Sequence, residues 1–342
     1  MRVCICGVQV PFARGGSELL IEALGRELRA RHVETETVLL PFKWYPDKEV
    51  LSHALAWRLI DLTESQGRPI DLVVATKFPS YLVRHPRKVL WLFHQFRQAY
   101  DLRESPFAGS QDPAVLDAVR RMDARAFSEC AGIYTISKNV SGRLLRYNQV
   151  ESTHLYPPPP LSDRYRCEGY GDFIFCAGRL ESMKRLDLLL RAVALSKPPL
   201  RCVIAGTGPE AGLLKRLAGE LGIEGRVEFP GWVSDESLLE YYATCRAVYY
   251  APYDEDYGFT TLEAFRSRKP VLTASDSGGV LEWVTHRETG LVTAPEPAAL
   301  AAALDVIAQD EASCRRWGGS GWERARHIDW EPIIDRLLTT AP

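Results

Sequence analysis

Long hydrophobic runs are missing from this 342-residue sequence, and no segment approaches the roughly 20 apolar residues of a membrane span. The opening segment, MRVCICGVQV, is too short and too mixed in polarity for a signal peptide. The net charge is only −2, which gives no support for a broad basic surface that binds nucleic acid. These absences favour a globular cytoplasmic protein.

Paired cysteines are also missing. The eight cysteines are scattered, and none forms the C-x-x-C spacing of a zinc site. Several lie in apolar runs, where a free thiol behaves as a small hydrophobic group, so a reducing compartment is expected. The G-x-G-x-x-G pattern of dinucleotide-binding proteins is absent as well, and its absence argues against a nicotinamide-dependent dehydrogenase.

The sequence does contain a long alternation of short apolar runs with segments of helical periodicity. This alternation favours parallel, doubly wound sheets of the Rossmann type. The run YPPPP interrupts the pattern, since consecutive prolines cannot join a central strand, and the alternation then starts again. A chain of this length is expected to form two domains. The predicted segments are an N-terminal domain at 1–156, a second domain at 157–328 and a C-terminal helix at 329–342.

The stretch YYAPYDEDYGFTTLEAFRSR predicts a strand end, an acidic loop and a helix that carries Glu263 in its opening turn. Seven residues separate Glu255 from Glu263, so the two acids are expected on opposite sides of the loop-to-helix junction. The first amides of such a helix favour a phosphate group. Thr260 followed by Glu263 also matches a capping box, so a capped surface helix is the alternative. The backbone amides that would bind the phosphate group belong to Gly258, Phe259 and Thr260.

Two cations follow the first predicted strand of the second domain. Arg179 and Lys184 flank one strand-to-helix turn, and Lys184 lies near the start of the next helix. The helix dipole opposes a cation there by about 0.3–1 kcal/mol, and a bound diphosphate would offset this cost. A solvated lysine on an exposed turn is the alternative.

Other candidates also follow predicted strands, on the side where open α/β sheets bind ligands. Gly15 and Gly16 could let backbone amides approach an anion, although a tight turn explains them equally well. His94 ends an apolar strand and is expected to point toward a cleft between the two predicted domains. The alternative is a structural histidine that is held by hydrogen bonds. Trp232 and Val233 could pack near a nucleobase or simply in the core.

Several of these segments occur together in one order, and in that order they resemble the retaining glycosyltransferases of family 4, which have the GT-B fold. That fold implies two Rossmann-like domains facing across a cleft, with a C-terminal helix that crosses back to the N-terminal domain. The resemblance covers most of the chain and is strongest over residues 173–293. The motifs are GRLESMK, IAGTGP, FPGWVSDESLLEYY, PYDEDYGFTTLEA and TGLV.

The resemblance implies roles for individual residues. Arg179 and Lys184 look like the pair that binds a donor diphosphate. Glu263 looks like the acid that binds the ribose hydroxyls of the nucleotide, and Glu255 looks like the acid that contacts the donor sugar. The candidate catalytic residues are Arg179, Lys184, Glu255 and His94. The candidate substrate-binding residues are Gly15, Gly16, Trp232, Val233, Asp256, Tyr257, Gly258, Phe259, Thr260 and Glu263.

The function implied by the resemblance is retaining transfer of a sugar from a UDP- or GDP-linked donor to an acceptor hydroxyl. The first domain would take the acceptor and the second the nucleotide sugar, with no metal and no other cofactor. The acceptor stays open between a glycan, a lipid-linked sugar and a small molecule, and weak peripheral membrane contact stays open too. A sugar-nucleotide epimerase of the same fold and a non-catalytic nucleotide-binding protein are the alternatives.

Overall fold

A computed structural model describes residues 1–12, 15–109, 111–197 and 200–340. The chain forms two compact units. The first consists of Met1–Pro157 with Asp329–Pro342, and the second consists of Pro158–Ile328. The boundary between Pro157 and Pro158 lies inside the proline run. Each unit contains a six-stranded parallel sheet.

The sheet of the first unit has the strand order β2-β1-β5-β6-β7-β8. Its central strands are continuous apolar runs buried on both faces, as expected when helices cover a parallel sheet. A small antiparallel hairpin, β3 with β4, lies outside this sheet. The strands are β1 Arg2–Gln9, β2 Glu34–Pro41, β3 Glu64–Ser65, β4 Arg68–Pro69, β5 Leu72–Lys77, β6 Lys88–His94, β7 Gly132–Thr135 and β8 Thr153–His154. The helices are α1 Gly16–Ala30, α2 Lys48–Leu59, α3 Pro113–Ser128 and α4 Lys138–Asn148.

The sheet of the second unit has the strand order β11-β10-β9-β12-β13-β14. Its core is built from the apolar faces of the strands and of the helices that cover them. The strands are β9 Phe173–Ala177, β10 Arg201–Ala205, β11 Val227–Gly231, β12 Ala247–Tyr249, β13 Val271–Ala274 and β14 Gly290–Thr293. The helices are α5 Leu186–Leu195, α6 Ala211–Glu220, α7 Asp235–Thr244, α8 Phe259–Arg266, α9 Pro297–Gln309 and α10 Glu311–Ala325.

The last helix, α11 (Glu331–Thr339), belongs to the first unit although it follows the second unit in sequence. The indole of Trp330 meets that of Trp91 edge to face, with 6.0 Å between ring centroids. Near the other end of the helix, the hydroxyls of Thr340 and Tyr134 are 2.7 Å apart. The chain therefore returns to the unit from which it started.

One predicted helix is interrupted. The sequence predicts a single helix over 182–196, whereas the structure has a 3₁₀ turn at Ser182–Lys184 and then α5. Arg185 separates the two with a left-handed φ of 50°. Its guanidinium is bound to two backbone carbonyls and a carboxylate of neighbouring loops, which stabilises this unfavourable conformation.

In the described part of the chain, no helix combines the length and hydrophobicity that a membrane span requires. All eight cysteines are free thiols.

Candidate functional site

A lysine, a glutamate and a tyrosine meet at the carboxyl end of the second sheet. Lys184 and Glu255 form an ion pair and are 25% and 20% exposed. The hydroxyl of Tyr250 lies 3.2 Å from the Lys184 ammonium and donates to Glu255 Oε2 at 2.8 Å. Burial alone would lower the pKa of Lys184, but the charge of Glu255 and the Tyr250 contact raise it on balance. Lys184 is therefore a permanent cation.

Hydrogen bonds of Arg185 fix the position of this cluster. Its guanidinium forms a bidentate pair with Asp276, at 2.8 and 2.7 Å, and also donates to the carbonyls of Ala251 and Pro252. Bidentate pairing restricts the geometry of both partners. One side chain thus joins the turn that bears Lys184 to the loop that bears Glu255.

Helix α8 begins at Phe259, one residue after Gly258. Gly258 has a left-handed φ of 83°, and a Cβ at this position would lie 2.7 Å from the Tyr250 ring. Glycine is therefore required both by the conformation and by the close packing. The capping-box alternative is wrong, because the N-cap is Gly258 and Thr260 lies buried inside the helix. By helix geometry, the first amides of α8 have no partner within the helix.

Glu263 lies one turn into α8 and is partly buried. Tyr242 of α7 donates a hydrogen bond to its Oε2 at 2.6 Å. Burial raises the pKa of Glu263 to about 7, although the Tyr242 hydrogen bond acts in the opposite direction. This carboxyl group can therefore change its charge near neutral pH.

The other candidates of the second unit differ in accessibility. Arg179 is half-exposed and forms an ion pair with Glu181 at 2.6 Å. Its partner therefore differs from that of Lys184, which pairs with Glu255. Trp232 is 78% exposed at the end of β11, whereas Val233 is partly buried. The ring of Tyr257 is buried against Phe259 and Trp283, which leaves its backbone as the part able to meet a ligand.

A small pocket opens beside Arg179 and Lys184. Its lining comes from the ends of β9, β10 and β12 and from the turn that follows β9. Asp256, next to Glu255, is partly exposed in the acidic loop. The carboxyl-end position of these groups agrees with the general location of ligands in open α/β sheets.

Three candidates belong to the first unit. Gly15 precedes helix α1 and Gly16 is its first residue. The amide of Gly15 donates to Glu18 Oε2 at 2.9 Å. His94 ends β6, where its Nδ1 lies 2.9 Å from the carbonyl oxygen of Gln95. The sequence also predicts that residues 12–14 help to bind the acceptor, and of these, residues 13 and 14 lie outside the described part of the chain.

Sequence reasoning missed three side chains that shape the site. Tyr250 directly follows β12 and could have been found as the polar group nearest the acidic loop. Arg185 carried a weak signal, since it is a third basic residue in the turn after β9. Tyr242 had no local signal, because it lies 21 positions before its partner Glu263 in the sequence.

Within the described ranges, no group of three or more His, Cys, Asp or Glu side chains is arranged to hold a metal ion.

Comparison of the whole chain with solved structures defines the class of fold. The chain has a TM-score of 0.73 to Anabaena Alr3699/HepE in complex with UDP and glucose, with 18% identity and 99% of each chain covered. It has a TM-score of 0.78 to sucrose-phosphate synthase from Thermosynechococcus elongatus, with 18% identity and coverage of 98% and 97%. The fold is GT-B.

Sequence comparison gives the family. Residues 167–324 match the family described as Glycosyl transferases group 1. The D-inositol 3-phosphate glycosyltransferase of Streptomyces avermitilis is 34% identical over an alignment 170 residues long that covers 45% of this chain. The match spans only 36% of the length of that relative. Residues 167–324, which are most of the second unit, therefore belong to the group 1 glycosyl transferases.

Proposed function

We propose that this protein is a retaining glycosyltransferase that moves a hexosyl group from a UDP-linked sugar to an acceptor hydroxyl. The observation that carries the proposal is the Lys184–Glu255–Tyr250 cluster beside the N-terminus of α8. The cluster lies within the segment that belongs to the group 1 family. We propose UDP and not GDP as the donor nucleotide because Anabaena Alr3699/HepE, a protein of the same fold, was solved with UDP and glucose.

In the proposed complex, the second unit binds the donor. Lys184 and Arg179 neutralise the diphosphate, together with the first amides of α8. Arg179 is suited to this because its present partner, Glu181, holds it in an exposed pair of little energetic value. Glu263 accepts hydrogen bonds from the ribose hydroxyls, and Glu255 contacts the donor sugar. Asp256 and the backbone of Tyr257 complete the sugar side.

The proposed reaction forms one bond and breaks one. The acceptor oxygen bonds to the anomeric carbon on the face from which the diphosphate departs. The bond from that carbon to the diphosphate oxygen breaks, and the acceptor proton passes to a diphosphate oxygen. Negative charge grows on the leaving group, so a cation already held in place by Glu255 and Tyr250 stabilises the transition state more than the ground state. No metal is part of this proposal.

The first unit is proposed to bind the acceptor and to contribute Gly16 and His94. Gly16 offers a backbone amide to the diphosphate without a side chain in the way. His94 is proposed to contact the donor sugar. Acceptors with a hydroxyl on a glycan, on a lipid-linked sugar or on a small molecule are all compatible with these roles.

A panel of nucleotides tests the donor. UDP and UDP-glucose should each raise the unfolding free energy by about 2.7 kcal/mol when present at 100 times their dissociation constants. GDP and ADP at the same concentrations should give much smaller shifts. Thermal unfolding followed by intrinsic fluorescence measures this. Equal shifts for all diphosphates would contradict base selection, and no shift with any of them would contradict donor binding.

Product analysis separates transfer from its alternatives. The protein should release UDP slowly from the donor even without an acceptor, because water can replace the acceptor hydroxyl. An epimerase would instead convert one UDP-sugar into another with no UDP released. Donor binding without either change would indicate a non-catalytic nucleotide-binding protein.

The exposed indole of Trp232 is proposed to stack on the uracil ring. Trp232→Ala should therefore weaken UDP binding about tenfold, as expected from the value of one base–aromatic stack. Calorimetric titration with UDP measures the effect. Trp44→Ala is the matched control, since Trp44 is an exposed tryptophan of the first unit. Unchanged affinity in Trp232→Ala would remove this residue from the site.

A further inference from the structure

A buried lysine lies behind the glycine turn of the first unit. Lys77 ends β5 and is 5% exposed. Its ammonium donates to Ser17 Oγ and to Glu18 Oε1, both at 2.7 Å. The other oxygen of Glu18 accepts the amide of Gly15 at 2.9 Å. One continuous chain of hydrogen bonds thus runs from the end of β5 to the residue that precedes α1.

The backbone of Lys77 is itself fixed. Ser80 Oγ accepts the Lys77 amide at 3.3 Å and donates to the Lys77 carbonyl at 2.7 Å. Lys77 also lies directly opposite His94 in the register of β5 and β6. Its Cα is therefore held at the same sheet edge as two of the candidate residues, His94 and Gly16.

Glu18 takes the place of a capping side chain at the start of α1. A helix usually begins after a residue whose side chain caps the first amides, but Gly15 has no side chain. Glu18 caps the amide of Gly15 instead. Burial alone would raise the pKa of Glu18, yet the charge of Lys77 and the hydrogen bonds from Lys77, Gly15 and Ser17 together outweigh it, so the pKa lies below its usual value. Glu18 therefore remains a charged cap.

We propose that Lys77 is a positioning residue, which holds Glu18 against Gly15 so that Gly16 presents its bare amide to the donor diphosphate. The inference rests on the proposed function. Glu18 satisfies the amide of Gly15, and neither glycine carries a side chain that would cover the amide of Gly16. Lys77 acts only through Glu18 and does not touch the substrate.

Three variants test this inference. Lys77→Met keeps the apolar stem but leaves the Glu18 charge without its partner, so Glu18 should turn to solvent and release Gly15. Displacement of a substrate-contacting group by about 1 Å can cost about 100-fold in rate, so turnover of UDP-glucose should fall about 10- to 100-fold. The affinity of this variant for UDP-glucose, measured by calorimetry, should stay within about twofold of the wild-type value. The second unit is proposed to supply most of the energy of donor binding.

Glu18→Gln and the double variant K77M/E18Q separate positioning from direct contact. The glutamine can still accept the Gly15 amide without a charge that needs Lys77. The double variant should therefore recover most of the turnover that Lys77→Met loses. A double variant as slow as Lys77→Met would overturn the inference, because Lys77 would then act on the substrate itself. Lys48→Met, at an exposed lysine of the same unit, is the matched control.

Amide hydrogen exchange over residues 15–18 tests the same contact without any nucleotide. Exchange should be faster in Lys77→Met than in the wild type and should return toward the wild-type rate in the double variant. Wild-type exchange in Lys77→Met would overturn the inference whatever the enzyme assays show. Conversely, absence of nucleotide binding in the wild-type protein would contradict the proposed function while leaving the exchange result interpretable.

Discussion

Replacing Lys184 with alanine should lower the rate of sugar transfer by about 10²- to 10³-fold, the usual effect of removing one preorganised group that stabilises developing charge. The ammonium is expected to oppose the charge that grows on the departing diphosphate. Steady-state release of UDP from UDP-glucose, with and without an acceptor, measures the loss. The affinity for UDP-glucose should fall by a smaller factor, because the diphosphate carries less negative charge in the bound ground state than in the transition state.

The same substitution should also affect stability. Glu255 loses its ammonium partner, while the hydroxyl of Tyr250 still donates to it. We expect the free energy of unfolding to fall by about 1–3 kcal/mol, the usual cost of leaving a buried polar group without a partner. Denaturant unfolding of Lys184→Ala should show this decrease. The loss of activity must therefore be measured at a temperature where the variant is fully folded.

Two further variants separate stability from catalysis. K184M/E255Q removes both charges, so its stability should exceed that of Lys184→Ala, yet its turnover should remain low. Lys215→Ala is the matched control, because Lys215 is an exposed lysine of the same unit. Near-normal turnover in a folded Lys184→Ala protein would remove Lys184 from the catalytic group.

The periodicity of the sequence was sufficient to predict most of the fold. Buried parallel strands are continuous apolar runs, and the runs KVLWLFH and FIFCA predict β6 at Lys88–His94 and β9 at Phe173–Ala177 with the bounds that the structure has. The interruption at Arg185 could not be predicted. A left-handed arginine depends on the carbonyls of Ala251 and Pro252, more than 60 residues away.

The site was predictable only in part, for the same reason. Glu255 and Lys184 were found because each lies in the segment that connects a strand to the next helix. Their pairing through Tyr250 depends on how two loops approach each other, which no local pattern encodes. The capping-box alternative failed at Thr260 because the N-cap of α8 is Gly258, which lies two residues earlier in a left-handed conformation. Local propensity was overridden by the packing of Gly258 against Tyr250.

Nucleotide-sugar binding should strengthen as pH rises from 6 to 8, because Glu263 must be ionised to accept two ribose hydroxyls. In the free protein, burial raises its pKa to about 7. At pH 6 most of the protein would carry a neutral Glu263, so UDP-glucose should bind about tenfold more weakly than at pH 8. The probe is UDP-glucose because UDP itself has a phosphate group that titrates near pH 6.

Glu263→Gln should flatten this pH profile and weaken binding at pH 8 by about 10- to 100-fold, the range for a hydrogen bond to a charged group. Tyr242→Phe removes one of the two tyrosine hydroxyls that lower the pKa of Glu263, the other being that of Tyr165, so the pH profile of this variant should move to higher pH. Calorimetry in two buffers of different ionisation enthalpy should detect proton release on binding below pH 7. An unshifted profile in Glu263→Gln would show that another group titrates.

Stability gives an independent measure of the same ionisation. A carboxyl group whose pKa is raised by folding binds more protons in the folded than in the unfolded chain, between its usual pKa near 4.5 and about 7. Its contribution to the free energy of unfolding is thus fully present below pH 4.5 and is lost as pH rises through 7. Glu263→Gln has no such loss, so its stability relative to wild type should increase between pH 5 and 8. A constant difference across that range would mean that Glu263 ionises normally, and the pH dependence expected for nucleotide-sugar binding would then lose its physical basis.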